Sequence, residues 1–472
     1  MTDLNLIEPG AGATPIWPIT ETDYARWRAK QPAAVGAWLD KHRFQAKPGR
    51  FATVPAKNGD LLGVVVGVAA PSTLWNFAGL SLGLPAGTYR IEVPRGRLDA
   101  RTATTAALGW AHGSYRFERY RKAPAGDGGA QLEWPAKADR DYVEATVSAG
   151  AMVRNLINTP AGDLGPADLA AAALSVAGDL GATAETTVGS SLLTAGYPMV
   201  HAVGRAGRQE PRLVDIRWGN PKSKGPKVTL VGKGVCFDTG GLDLKTADGM
   251  LLMKKDMAGA ALCIGLLHMI ATLRLDVRLR VLLPLVENAV ASDAYHPGDV
   301  LSSRKGLTVE IGNTDAEGRL ILADALAEAD RERPDLLVDF STLTGAARVA
   351  LGPDLPALYA NDDEVAAELM DIGNEEADPS WRMPLWPPYA EMLDSKIADM
   401  NNVSGGSFAG SITAALFLQR FVTRAPRWVH LDLYAWSPKP RPGRPEGGDP
   451  QMMRAVYRLI ERRAGKKKPK RK

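Results

Sequence analysis

Residues 228–256, VTLVGKGVCFDTGGLDLKTADGMLLMKKD, open as a short β-branched and aliphatic run that reads as a buried strand. The run then breaks into Gly-rich chain carrying acids and bases, with Lys233, Asp238, Lys245 and Asp256 in and beyond the loop after the strand. A second stretch, VEIGNTDAEGRL at 309–320, repeats the arrangement with Asp315, Glu317 and Arg319. Open α/β sheets build their sites from polar groups at the carboxyl ends of parallel strands. The two stretches are therefore expected to meet in one site.

The rest of the chain supports such a sheet. Strands are expected near 51–55 and 61–68, where LLGVVVGV has the look of a strand buried on both faces, and helices near 22–43 and 101–112. From 139 the chain alternates. Helices are predicted over 139–157, 166–177, 257–273 and 319–332, then from 345 and over 450–462. Strands are predicted over 228–232, 279–286, 307–312, 335–340 and 428–434. Strands separated by helices of this length imply an α/β fold, a mainly parallel mixed sheet flanked by helices. The Pro- and Gly-rich segment 123–137 marks a boundary. The expected organisation is a smaller N-terminal α/β domain over 1–125 and a linker with connecting helix over 126–160. A catalytic domain follows over 161–464, and a basic tail, expected to be disordered, over 465–472.

Charge and cysteine content remove other classes. The formal net charge is +4, but residues 462–472 carry eight positive charges and no acid, which leaves −4 for the rest and no basic face on the folded body. Nucleic acid is not an expected partner. Two cysteines, Cys236 and Cys263, exclude a disulfide framework and a Cys-rich zinc site. Apolar runs such as 61–70 are too short to span a bilayer, and the start MTDLNLIEPGAG lacks a signal-peptide pattern. Cytoplasm is the expected compartment, with no membrane partner.

Four converging carboxylates, Asp238, Asp256, Asp315 and Glu317, need compensation, because unpaired buried charge is costly. Two divalent cations would supply it, with a bridging carboxylate between them. Lys233, between Gly232 and Gly234, has an amine able to lose its proton beside a dication, whereas Lys245 stays charged to steady an oxyanion. Each acid alone has a plainer reading as an Asx-turn or helix cap, and Asp315 or Glu317 would suit the N-terminus of the following helix. Lys254, Lys255 and Asp256 would equally make a solvated charge run. A phosphate cradle fits less well, because neither GxxxxGK[ST] nor GxGxxG follows the strand. Cys236 as a nucleophile has no histidine nearby in sequence, and no HExxH occurs.

GKGVCFDTGGLDLK with NTDAEGRL resembles the leucyl aminopeptidase family, dinuclear metallo-exopeptidases of the cytosol. Supporting matches are RNLINTP at 154–160, STLTGA at 341–346, AGSITAALFLQRFV at 409–422 and WVHLDLYAW at 428–436. Thr239 stands where many members have Ser, which keeps the hydroxyl. The resemblance implies hydrolysis of peptides with a free N-terminus, releasing leucine and other apolar residues through a water activated by two metals, Zn²⁺ and/or Mn²⁺. By matching position, Asp238 and Glu317 would bridge the metals, Asp315 would complete the more exchangeable site, and Lys233 with Asp256 the tighter one. Lys245 would contact the scissile carbonyl oxygen, and Arg319 would hold a bicarbonate acting as general base. Met253, Asn313, Thr342, Leu343 and Gly345 would line the substrate, with Met253 against its first side chain. The family also implies a homohexamer.

Overall fold

The computed structural model describes residues 4–93, 98–121 and 129–464. The expected disordered tail, 465–472, lies outside the described residues. The chain divides into two compact units, one of residues 1–151 with 439–446, the other of 152–438 with 447–472.

The first unit is built on a six-stranded sheet in the order Leu6–Ile7, Ala130–Glu133, Gly87–Ile91, Thr14–Thr20, Leu61–Val68, Phe51–Pro55. All neighbours are parallel except the last pair. Val64 and Val66 pack with Ile16, Phe77 and Trp110 on one face, while Val65 packs with Ile19, Trp27 and Leu39 on the other. Alternate side chains of a strand point to opposite faces, so a continuous valine run fits a strand covered on both. The helix expected over 22–43 is two helices, Glu21–Arg28 and Ala33–Lys41, separated before Pro32, which cannot continue a helix it does not begin. The segment 126–160, read from sequence as linker and helix, contributes the strand Ala130–Glu133 to this sheet before the helix Arg140–Asn158.

The second unit carries a nine-stranded mixed sheet. Its main path runs Trp381–Arg382, Ala357–Ala360, Trp428–Asp432, Leu336–Ser341, Lys227–Gly232, Arg278–Asn288, Arg212–Trp218, Thr183–Val188. The four central strands are parallel. The Arg212–Trp218 and Thr183–Val188 strands, not expected from sequence, close one side antiparallel. Two long helices cover the centre. Ala258–Thr272 packs with Pro166–Asp179 and Met453–Ala464, whereas Glu317–Arg331 packs with Pro198–Gly204 and Gly410–Gln419, so the helices lie on opposite faces. From the central Lys227–Gly232 strand the chain moves to Arg278–Asn288 on one side and later to Leu336–Ser341 on the other. This reversal opens a crevice at the carboxyl ends of the strands.

Two local corrections matter for the site. The chain after Gly232 is not loop throughout: after Lys233 it re-enters the sheet as Gly234–Asp238, paired parallel with Leu285–Asn288. The strand expected over 307–312 is the short Thr308–Glu310, and it belongs to a separate three-stranded sheet with Val300–Ser302 and Met400–Asn401.

Candidate metal centre

Lys233 occupies the one-residue break between two strands. Its N–H donates to Phe340 O and its carbonyl accepts from Ala260 N, both at 2.9 Å, which turns the side chain into the crevice. Backbone approaches this closely only through glycine. A Cβ on Gly259 would lie 2.1 Å from Phe340 O, and one on Gly318 would lie 2.6 Å from Lys233 Nζ. Lys233 Nζ lies 2.8 Å from Asp256 Oδ2 and 3.0 Å from Glu317 Oε1. Asp256 sits in the 3₁₀ turn Met253–Met257 and accepts a 2.6 Å hydrogen bond from Thr342 Oγ1. Glu317 is the first residue of its helix, where the macrodipole favours an acid.

Asp238 ends the Gly234–Asp238 strand. Its Oδ1 accepts from Asn288 Nδ2 and from Gly240 N, each at 2.8 Å. Its Oδ2 is 2.8 Å from Lys245 Nζ, which also donates a short bond to Asp315 Oδ1. One carboxylate oxygen from each of Asp238, Asp315 and Glu317 falls within a 4.8 Å cluster.

The charges in this cluster govern one another. Burial works against the Lys233 ammonium, yet Asp256, Glu317 and Asp238 hold it well above the ordinary lysine range. Lys245 is held up in the same way by Asp238 and Glu317. Burial and the charge of Asp238 push Glu317 up to about 8 and Asp315 up to about 6. Asp256 is also penalised by burial, but Lys233 and Lys255 keep it below its usual value.

All twelve residues singled out in the sequence line one cavity of about 720 Å³: Lys233, Asp238, Lys245, Asp256, Asp315, Glu317 and Arg319 with Met253, Asn313, Thr342, Leu343 and Gly345. Arg319 is buried, its Nη1 donating to Asn402 O at 2.6 Å, while burial lowers its pKa to about 10. The plainer readings fare badly. Lys255 and Asp256 are 4% and 2% exposed, so they are not a solvated charge run. Cys236 is buried, and burial drives its thiol far up, which keeps it from acting as a nucleophile.

Several positioning residues were not singled out from sequence. Asn288, at the end of its strand, bonds Asp238 and also donates to Thr314 O at 3.1 Å. Asp243 Oδ2 accepts from Thr314 N at 2.7 Å, and Thr314 Oγ1 donates to Gly240 O at 2.6 Å, which clasps the two signature stretches together. Asn402 accepts from Gly312 N and Asn313 N and donates to Asn313 O. Asp432 receives Leu343 N, Thr344 N and Thr344 Oγ1. Asn288 and Asp432 share the signal that found the others, a polar residue closing an apolar strand.

The donor set fits divalent cations. Neither oxygen of the buried Glu317 carboxylate accepts a hydrogen bond among the described residues, its one close partner being the Lys233 ammonium 3.0 Å from Oε1. Four carboxylates face two directly paired ammonium groups, so the carboxylates outnumber their direct ion-pair partners. Carboxylate oxygens with one amine nitrogen make a donor set of the kind that divalent cations take.

Comparison with known proteins agrees with this geometry. Residues 151–457 match the family described as "Cytosol aminopeptidase family, catalytic domain", and residues 14–132 match "M17 aminopeptidase, N-terminal domain". A probable cytosol aminopeptidase of Caulobacter vibrioides is 40% identical over 376 residues, spanning 77% of this chain and 76% of that protein. Its counterpart in Xanthobacter autotrophicus is 37% identical over 423 residues, 85% of this chain and 84% of that protein. Among solved structures, the cytosol aminopeptidase of Coxiella burnetii superposes with a TM-score of 0.92 at 45% identity, covering 98% of this chain and all, 100%, of that one. The bottromycin maturation enzyme BotP in complex with Mn superposes with a TM-score of 0.86 at 32% identity, covering 96% and 100%.

Proposed function

We infer that this chain, which belongs to the cytosol aminopeptidase family and is a metallo-aminopeptidase removing N-terminal residues from peptides, works through the cluster around Glu317. Family membership also decides against the phosphate-cradle reading of the Gly-rich loop. Asp238 and Glu317 would be shared between two divalent cations, Zn²⁺ or Mn²⁺. Asp315 would complete one site, Lys233 and Asp256 the other. The observation that carries this reading is the buried Glu317 carboxylate, with two oxygens that accept no hydrogen bond beside Asp238 and Asp315. Bound there, the cations would supply Lewis acidity toward the substrate and a lower pKa for the attacking water.

The chain's own groups do the rest. Lys245 keeps its proton and is in place to hold the oxyanion as it develops, so little reorganisation accompanies the attack. As a ligand, Lys233 would act through its neutral amine, with the proton released on metal binding. Arg319 Nε is buried without a hydrogen-bond partner among the described residues and offers a donor for a bicarbonate, next to the Nη1 bond that fixes the guanidinium. Held by Arg319, a bicarbonate would supply general-base chemistry beside the scissile bond. Met253 and Leu343 line the cavity and would give the first side chain an apolar wall that suits leucine, while Asn313, Thr342 and Gly345 would contact the peptide backbone. Assembly as a homohexamer in the cytoplasm follows the family's habit. No helix among the described residues is long and apolar enough to cross a membrane.

The test is metal removal. Exhaustive chelation should abolish release of p-nitroaniline from leucine p-nitroanilide, and Zn²⁺ or Mn²⁺ should restore it at about two ions per chain by elemental analysis. Full activity in protein stripped below a tenth of an ion per chain would overturn the reading.

A further inference from the structure

Two cations on the wall of the same cavity, Lys255 and Arg348, make no hydrogen bond or ion pair with the carboxylate cluster among the described residues, although the charge of Lys255 reaches Asp256 through space. Lys255 is 4% exposed and lines the cavity. Among the described residues, no acceptor lies within hydrogen-bond or ion-pair range of its Nζ. Its neighbour is the Tyr434 ring, with Nζ 4.7 Å from the centroid. Arg348, in the last turn of the helix Gly345–Leu351, places its guanidinium carbon 5.3 Å from the centroid of the same ring. It also lines the cavity, is exposed at its mouth, and pairs with no carboxylate among the described residues.

The acids that act on Lys255 through space are Asp256 and Asp432. Both are already engaged, Asp256 by Lys233 and Thr342, Asp432 by Leu343 and Thr344. A buried ammonium without an anion is costly, and an aromatic face offsets only part of that cost. Such a group, open on one side to a substrate cavity, is poised for an anion that arrives with the ligand.

We propose that Lys255, with Arg348 at the mouth of the cavity, binds a carboxylate of the peptide substrate. The enzyme therefore selects substrates that carry a negative charge within reach of this wall. The proposal rests on the aminopeptidase reading and deepens it. Two parts of a substrate offer this chemistry. One is the side chain of an N-terminal Glu or Asp, since Lys255 belongs to the same turn as Met253. The other is the terminal carboxylate of a very short peptide. An apolar first residue still has its wall, so leucine remains a substrate, and the charge adds to it.

Matched pairs separate these cases in the metal-loaded enzyme. Glutamate p-nitroanilide against glutamine p-nitroanilide isolates a side-chain charge at constant shape. Leu-Leu against Leu-Leu-amide isolates the terminal charge. One pair should show kcat/KM about tenfold or more higher for its charged member. Lys255→Met should bring that ratio close to one, and Arg348→Gln, at an exposed position that does not threaten folding, should cut it several-fold. No preference in either pair, alongside turnover of leucine p-nitroanilide, overturns the proposal. A preference that survives Arg348→Gln and Lys255→Met also overturns it, and if Lys255→Met does not fold, Arg348→Gln alone decides. Absence of leucine p-nitroanilide turnover in metal-loaded wild type would instead overturn the aminopeptidase reading, and the proposal with it.

Discussion

The helix Glu317–Arg331 buries an acid at each end, and the two acids are treated differently. Asp330, at the far end, is 4% exposed and accepts from three consecutive amides, Thr423 N at 3.0 Å, Arg424 N at 2.9 Å and Ala425 N at 2.7 Å. Glu317, at the near end, is 1% exposed and accepts no hydrogen bond among the described residues, with Lys233 as its close cation. Between them Asp324 follows the first pattern, receiving Met199 N and Arg304 N at 2.8 Å. Acids with filled lone pairs tie loops to the helix. The acid with unfilled ones is ready for a ligand. Burial of charge is thus no sign of function by itself; the state of its oxygens is.

Glu317→Ala gives the sharpest separation of the two ends. If the carboxylate is reserved for cations, its loss should cost kcat/KM on leucine p-nitroanilide about 10³-fold or more, in metal-supplemented buffer. The far-UV circular dichroism spectrum and the unfolding midpoint of the metal-free protein should stay near wild type, because no donor is left without an acceptor. Activity within a few-fold of wild type would place Glu317 in the same class as Asp330.

Asp330→Ala should do the reverse. Three amides would lose their acceptor, and each buried unsatisfied group costs about 1–3 kcal/mol, for a destabilisation of about 3 kcal/mol or more. Urea unfolding measures this, while kcat per folded molecule should hold, since Asp330 is absent from the residues lining the cavity. An unchanged urea midpoint would mean that filled oxygens are not what makes this end structural.

The same contrast sets the limit of what could be read from the sequence. The strands Lys227–Gly232 and Leu336–Ser341 were legible because both faces are covered and nearly every residue is apolar or small. Thr183–Val188, TAETTV, was not, because an edge strand with polar, partly exposed residues carries no burial signal. Within the site, the acids and lysines stood out by clustering on Gly-rich strand ends. Their partners were not singled out, although Asn288 and Asp432 also close apolar strands. Asn288 reaches Asp238 through the parallel register that sets Asp238 opposite it, 50 residues away, and nothing local encodes that. Lys255 looked like surface charge beside Lys254, and only packing distinguishes the buried one from its neighbour. Which oxygens are filled is likewise a property of the fold: Glu317 was singled out by the motif around it, but nothing in the sequence told that its oxygens stay open while those of Asp330 are filled by amides.

Glu328, on the same helix, lies between the two cases and carries the smallest expected effect. It is partly buried and held by guanidinium groups rather than amides: Arg280 Nη2 at 2.9 Å, Arg304 Nε at 2.8 Å and Arg331 Nη1 at 3.1 Å. Burial alone would raise its pKa, but the bonds from Arg280 and Arg304 win and hold it below the usual glutamate value of 4.5. A depressed folded-state pKa means that the unfolded chain binds the proton more readily, so the stabilisation is complete above the unfolded value and is lost as pH falls through the folded one. Wild type should therefore lose more stability than Glu328→Gln on acidification from pH 5 to about 3. The difference between the two should be about 1 kcal/mol or less, because the side chain retains contact with solvent. Urea midpoints at the two pH values give it directly. Equal pH dependence would show that the arginines around Glu328 are held as firmly without its charge, and the helix would then have only two kinds of acid, filled by amides or open to a ligand.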